Sequence, residues 1–231
     1  MKEFAPTRDR LDDIVQWDVR TWSRALDYWD RNVDWSRVHT CLELGGREGG
    51  LSLWLALKNK VVVCSDLSNT ETTARPLHER YGAVRLVLYE DIDATDLPYE
   101  NHFDLVVFKS ILGGIGRKDD KVKQQQVFER ILKALVPGGC LLFAENMAAS
   151  VLHRSARKHF SPWSAYWRYP SYDEMQEFLS GFTAYDMRTT GFTATFGRNE
   201  AQRDILARLD AVLDKAIGNR WKYMAYGIAI K

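Results

Sequence analysis

Residues 41–50 read CLELGGREGG: an apolar run carrying Glu43, then Gly45, Gly46, Gly49 and Gly50 around Arg47 and Glu48. A glycine turn directly after a strand is how nucleotide-binding sheets bring a ligand against the backbone. Two versions of that turn fail here. A dinucleotide turn needs G-x-G-x-x-G, but its second glycine falls on Arg47 when counted from Gly45 and on Glu48 when counted from Gly46. A phosphate loop needs G-K-[ST], and none follows. The ligand must therefore accept an acid on the strand and an arginine inside the turn.

Outward from the turn the chain alternates between two hydrophobic periods. The segment 50–60 suits a helix through Leu51, Trp54, Leu55 and Ala56, and 61–67, VVVCSDL, is an apolar run ending near Asp66, as expected of a strand buried on both faces. A helix over about 72–81, a strand over 84–88 and the strand FDLVVF over 103–108 follow. Next come a helix over about 122–135, stopped by Pro137, Gly138 and Gly139, and a strand over 140–146. Strands joined by helical crossovers imply a parallel sheet. Upstream, Ile14, Trp17, Val19, Trp22, Ala25, Leu26 and Trp29 recur at helical spacing and predict one amphipathic helix over 11–32. Downstream, the tail predicts a helix from 171, a strand over 182–190, a helix over about 201–217 and a closing strand over 221–231.

The chain has 231 residues, 45% hydrophobic and 27% charged, with a formal net charge of +1. That composition describes one packed globular unit and gives no whole-surface attraction to nucleic acid. Cys41, Cys64 and Cys140 lie far apart in or beside apolar runs, which suits buried thiols in a reducing cytoplasm better than disulfides or a zinc site. No apolar run approaches the roughly 18 residues of a membrane span, and the start has no signal-peptide core.

The stretch 148–170 breaks the alternation, mixing basic and aromatic residues over a length too great for a connector. We read it as a lid beside the site. Arg154, Trp163, Tyr166, Trp167 and Arg168 are its candidate substrate contacts, since aromatic faces stack on sugars or rings and arginines suit phosphate or carboxylate. The short basic patch 154–158 also suits a weak contact with an anionic lipid surface. If the chemistry is transfer to a hydroxyl, it needs a base, and His153 and His159 are the nearest candidates, although a lone histidine is more often structural.

ExGGRxGG, Asp66 at a strand end, the segment DATDLPYENHFDLVVF and the PGG before a strand together resemble the class I S-adenosylmethionine-dependent methyltransferases over about residues 40–146. The resemblance implies an α/β fold: a Rossmann-like, seven-stranded doubly wound sheet. To this we assign a helical cap at 1–38, a cofactor-binding core at 39–146, a lid after the fifth strand at 147–170, and the rest of the sheet at 171–231. It implies S-adenosylmethionine as cofactor, with Glu43, Gly45, Gly46 and Gly49 around its methionine part and Asp66 on the ribose hydroxyls. Leu67 and Ile92 would flank adenine, while Asp93 and Ala94 would meet its edge. Lys109 and Ser110 would stand at the methyl end. Arg47 departs from the family, which more often has glycine there; Gly46 is expected to supply the missing flexibility, and Arg47 either to pair with the cofactor's carboxylate or to be a solvated turn residue held by Glu48 or Glu43.

After the fourth strand the residues are KSILGG where amide and base methylators carry N-P-P-Y, so those acceptors are disfavoured, and no acidic cluster supports a metal. The lid is similar to methyltransferases of bacterial surface polysaccharide pathways, which implies O-methylation of a sugar in a polysaccharide or glycolipid. The alternatives are a small-molecule methyltransferase acting on a natural product or quinone-like ring, and a catalytically silent, cofactor-binding regulatory subunit.

Overall fold

The computed structural model describes residues 8–160 and 166–231. Seven strands form one sheet: β1 (Thr40–Leu44), β2 (Val61–Asp66), β3 (Val87–Asp91), β4 (Phe103–Lys109), β5 (Leu135–Asn146), β6 (Ala184–Thr190) and β7 (Met224–Ile230). Their order is β3-β2-β1-β4-β5-β7-β6, with β1 to β5 parallel and β7 antiparallel to both neighbours. The chain leaves β1 towards β2 and β3 on one side and returns on the other through β4 and β5, so strand order reverses between β1 and β4. A crevice opens at the carboxyl ends of strands at such a point.

Strand period 2 divides the interior into two layers. Cys41, Val62, Leu105 and Leu142 face one core, where Trp22, Trp29 and Trp54 pack. Leu42, Leu44, Val106, Phe108 and Phe143 face the other, filled by Phe128 and Phe178. The crossovers α3 (Gly50–Leu57) and α4 (Thr70–Arg80) join the first three strands, and α6 (Lys121–Ala134) follows the four-residue α5 (Leu112–Ile115) between β4 and β5. Helix α7 (Val151–Phe160) lies in the expected lid, and α8 (Tyr172–Leu179) and α9 (Glu200–Leu213) complete the layers. Among the described residues no helix is long and apolar enough to cross a membrane.

The N-terminal segment departs from the single helix expected over 11–32. It is two helices, α1 (Arg8–Val15) and α2 (Val19–Asn32), because Gln16 and Asp18 take left-handed backbone angles at φ 73° and 46°. Asp18 and Val19 donate their N–H groups to the Glu200 carboxylate at 2.9 and 3.1 Å, so a residue far away in sequence satisfies the start of α2. Helix α2 lies on the sheet with Trp29 Nε1 donating to the Gly227 carbonyl at 2.9 Å. The third strand starts at Val87 rather than 84, since residues 84–86 form a 3-10 turn first. The closing helix ends at Leu213 rather than near 217.

The break lets α1 fold back onto the glycine turn. A Cβ built on Gly50 would lie 2.2 Å from the Ile14 carbonyl oxygen, a backbone atom. Gly50→Ala is therefore expected to displace α1 and destabilise the fold by about 1–3 kcal/mol, the usual cost of overpacking. Chemical denaturation of the purified variant measures this, and an unchanged midpoint would contradict the contact.

Candidate functional site

The glycine turn carries three left-handed residues: Gly45 at φ +63°, Arg47 at 47° and Gly49 at +73°. A Cβ on Gly45 would meet Ile111 Cγ2 at 2.4 Å, and one on Gly49 would meet His78 Cε1 at 2.6 Å. Gly46 is not left-handed; it is small because a Cβ there would press on the Glu43 carboxyl at 3.0 Å. The expectation that Gly46 replaces a missing glycine is thus corrected. Arg47 itself takes the strained conformation, which costs roughly 1–2 kcal/mol, and its N–H is held by Asp66 Oδ2 at 2.9 Å.

Glu43 is 3% exposed beneath the turn. Its Oε1 accepts from Leu51 N at 3.2 Å, and its Oε2 accepts from Ser52 N at 2.8 Å and Ser52 Oγ at 2.5 Å. Burial pushes its pKa up to about 7 against those bonds from Ser52. Asp66 is half-buried at the end of β2, its Oδ1 accepting from Leu67 N at 2.7 Å. Ile92 N donates to the Asp66 carbonyl at 2.7 Å, which brings residues 92–94 beside it. There Leu67 is 68% exposed and Ile92 buried, Ala94 is half-buried, and Asp93 Oδ1 accepts from Thr95 N and Oγ1. The expected adenosine-side residues thus form an open shelf along the ends of β2 and β3.

A cavity of about 560 Å³ adjoins the turn. Glu43, Gly45, Gly46 and Arg47 form one wall, and Ile14, Gln16 and Trp17 of the N-terminal segment form the roof. Lys109, Ser110 and Asn146 stand at the strand ends, and Arg157, Trp167, Tyr169, Thr195 and Arg203 close the far side. Lys109 Nζ donates to the Val15 carbonyl at 2.6 Å and lies 5.4 Å from the centre of the Trp22 ring. Burial brings its pKa down to about 8, with Glu43 opposing. Ser110 takes φ 57° and its Oγ accepts from Asn146 Nδ2 at 2.8 Å. Behind it Glu145 is fully buried, accepting from Leu112 N and Asn146 N, each at 2.8 Å.

Several expected contacts lie elsewhere. His153 is 1% exposed among Phe192, Phe196 and Tyr223, with Nδ1 on Ser150 Oγ and Nε2 on the Phe192 carbonyl. His159 is exposed on α7 and bonded to the Ser155 carbonyl. Neither lines this cavity; His153 instead lines a second one that shares Arg157, Thr195 and Arg203 with it. Arg168 is a brace: Nε donates to Asp119, Nη1 to Gln124 Oε1, and the guanidinium pairs with Glu174, fastening the lid to α6 and α8. Arg154 is exposed and lines a separate hollow beside Trp221. Tyr166 is 74% exposed, Trp167 does line the cavity, and Trp163 lies outside the described residues.

The cavity also holds residues that the sequence did not mark as site residues: Gln16, Trp17, Thr195 and Arg203. They reach it from the N-terminal segment and from the region between β6 and β7, and no spacing in the sequence announces that meeting. Arg157 differs, since it lay in the basic stretch already noticed; on an amphipathic helix its position one turn after His153 was a usable signal.

Residues 42–143 match the family model described as a methyltransferase domain. A search of the curated proteins returned no match. Among solved structures, phosphoethanolamine N-methyltransferase 2 of Haemonchus contortus, in complex with phosphomonomethylethanolamine and S-adenosylhomocysteine, is similar at 19% identity and TM-score 0.63. The alignment covers 98% of this chain but 60% of that one, so this chain spans about three-fifths of the length of that relative. A S-adenosylmethionine-dependent methyltransferase structure of Thermotoga maritima aligns at 14% identity and TM-score 0.62, covering 96% of this chain and 94% of its own. The [4+2]-cyclase SpnF aligns at 17% identity and TM-score 0.55, covering 84% and 74%. At these identities the likeness establishes the Rossmann-like methyltransferase fold alone, and SpnF shows that the fold also carries other chemistry.

Glu145, at the end of β5, offers a test of burial. Burial pushes its pKa from 4.5 to about 7, opposed by the bonds from Leu112 and Asn146. The folded chain then keeps a proton that the unfolded chain has lost, so this group adds stability as pH falls from about 7 towards 4.5 and removes it above. His78 and His153, held below their ordinary 6.5 by burial, act the opposite way as pH falls. Glu145→Gln leaves the histidines in place. Its stability is expected to gain about 2–3 kcal/mol less than wild type over that pH window, as measured by denaturant unfolding at each pH.

Proposed function

We propose that this chain is a S-adenosylmethionine-dependent methyltransferase acting on an oxygen of a polar, hydroxylated acceptor. The observation that carries the reading is the pairing of two strand-end acids, Glu43 and Asp66, across a left-handed glycine turn at the point where strand order reverses. A pyrophosphate would be repelled by that pair. A ligand with an ammonium, a sulfonium and ribose hydroxyls suits it.

The residues fit the cofactor by their donor chemistry. Glu43 and the backbone of 45–49 would hold its methionine part, and Arg47 is exposed beside them for its carboxylate. Asp66 would accept from the ribose, with Leu67 and Ile92 flanking adenine and Asp93 and Ala94 at its edge. S-adenosylmethionine supplies an electrophilic methyl group. The chain's own part is to shield the cavity with Trp17, Trp167 and Tyr169, to orient a hydroxyl between Ser110 and Asn146, and to take up its proton. Lys109, near pKa 8, is the cavity-lining group suited to that last role close to neutral pH.

The aromatic and hydrogen-bonding lining supports a sugar of a surface polysaccharide or glycolipid as acceptor. A protonated amine is disfavoured by Arg157 and Arg203 around the same cavity. A small aromatic acceptor is the second reading, favoured by Trp17, Trp167 and Tyr169.

Calorimetric titration with S-adenosylmethionine, with NAD as control, tests the cofactor. Wild type is expected to bind S-adenosylmethionine and not NAD, with Asp66→Ala weakening it about tenfold, as loss of one charge-assisted pair would. Transfer of labelled methyl to hydroxylated sugars then separates an enzyme from a silent binding subunit, and Lys109→Met is expected to lower turnover by at least about tenfold.

A further inference from the structure

The cavity at the glycine turn does not end at its far side. A second cavity of about 520 Å³ adjoins it, and the two share Arg157, Thr195 and Arg203 as lining residues. The second is also lined by Arg198 and contains no acid among its described lining residues. In the first, Glu43 is the acid among the described lining residues, and it is buried beneath the turn with its oxygens already held by Leu51 and Ser52. The pair of cavities is therefore walled by Arg47, Arg157, Arg198 and Arg203 with little opposing charge.

Two of these arginines hold unused donors. Arg157 is half-buried, its Nη1 donating to the Met147 carbonyl at 2.7 Å and its guanidinium lying 3.9 Å from the Tyr169 ring centre. It makes no ion pair among the described residues, and Nε and Nη2 have no acceptor among them. Arg203 pairs through Nη1 with Glu200 at 2.6 Å, while its Nε is buried with no partner among the described residues. A partly desolvated guanidinium lacking a carboxylate is costly unless a ligand supplies the anion, and its planar fork matches two oxygens of one oxyanion. Thr195 lines the same shared wall.

We infer that the acceptor carries an oxyanion, a carboxylate or a phosphate, and that Arg157 and Arg203 clamp it on the wall between the two cavities. This rests on the methyl-transfer reading and narrows its acceptor to an acidic one. The uncharged part of the acceptor then extends past Trp167 and Tyr169 towards Ser110, with the anion as the anchor that selects it.

The test is calorimetry on full-length protein saturated with S-adenosylhomocysteine, titrated with glucuronate, glucose 1-phosphate and glucose. At least one charged sugar is expected to bind about tenfold or more tightly than glucose, and which one does so identifies the oxyanion. Arg157→Gln and Arg203→Gln are each expected to erase that preference; Arg203→Gln keeps the test valid if the first loosens α7. Binding of both charged sugars at or below the level of glucose overturns the inference. So does a preference that survives both substitutions, which would put the anion elsewhere. A protein that fails to bind S-adenosylhomocysteine overturns the methyl-transfer reading and this inference with it, and the first titration separates that failure from the others.

Discussion

The site depends on the buried carboxylate of Glu43. It leaves the end of β1, passes under the glycine turn and accepts the N–H groups of Leu51 and Ser52 together with the Ser52 hydroxyl. One side chain thereby joins the first strand to the first turn of α3 and sets the path of every residue between. Asp66 then fastens the outer edge of that turn through Arg47 N. The two acids are thereby parts of the scaffold, fixed in orientation by the backbone groups they hold.

On that scaffold the cavity is assembled from segments distant in sequence. The roof comes from α1, which reaches the turn because residue 50 has no side chain and because Lys109 draws the Val15 carbonyl down. The break that lets α1 fold back is stabilised from the other end of the chain by Glu200, which also pairs with Arg203. A single carboxylate thus links the roof to the far wall. The far wall in turn is held by Arg168, which ties the lid segment to α6 and α8 and so sets the place of Trp167 against Gly113. Charges inside the cavity are mostly arginines, while carboxylates outside it serve as caps and braces.

The fold was legible because its signals are local. Apolar strand runs separated by helical periods, with Gly45 and Gly46 after β1 and Pro137 to Gly139 before the core of β5, need only neighbouring residues to be read. The same turn marked Glu43 and Asp66, whose carboxylates hold its backbone. The acceptor side was less legible. His153 shares a face of α7 with Arg157 one turn later, but its shorter side chain is packed among Phe192, Phe196 and Tyr223 while Arg157 reaches the cavity, and His159 is left in water. Arg168 likewise carried the charge expected of a substrate contact and spends it on Glu174 and Asp119.

By itself, then, the sequence determined what short-range patterning can carry: the alternating α/β order, a glycine turn that follows neither the dinucleotide nor the phosphate-loop pattern, and two acids at strand ends. The tertiary structure decided what needs distant segments to meet: the bend at Gln16 to Asp18, the left-handed Arg47, and a cavity whose charge comes from Arg157 on α7 and Arg203 on α9. The physical reason is range. Backbone propensity and hydrophobic period act over a few residues, whereas the pairing and desolvation of a charged side chain are settled only by whatever the fold packs against it.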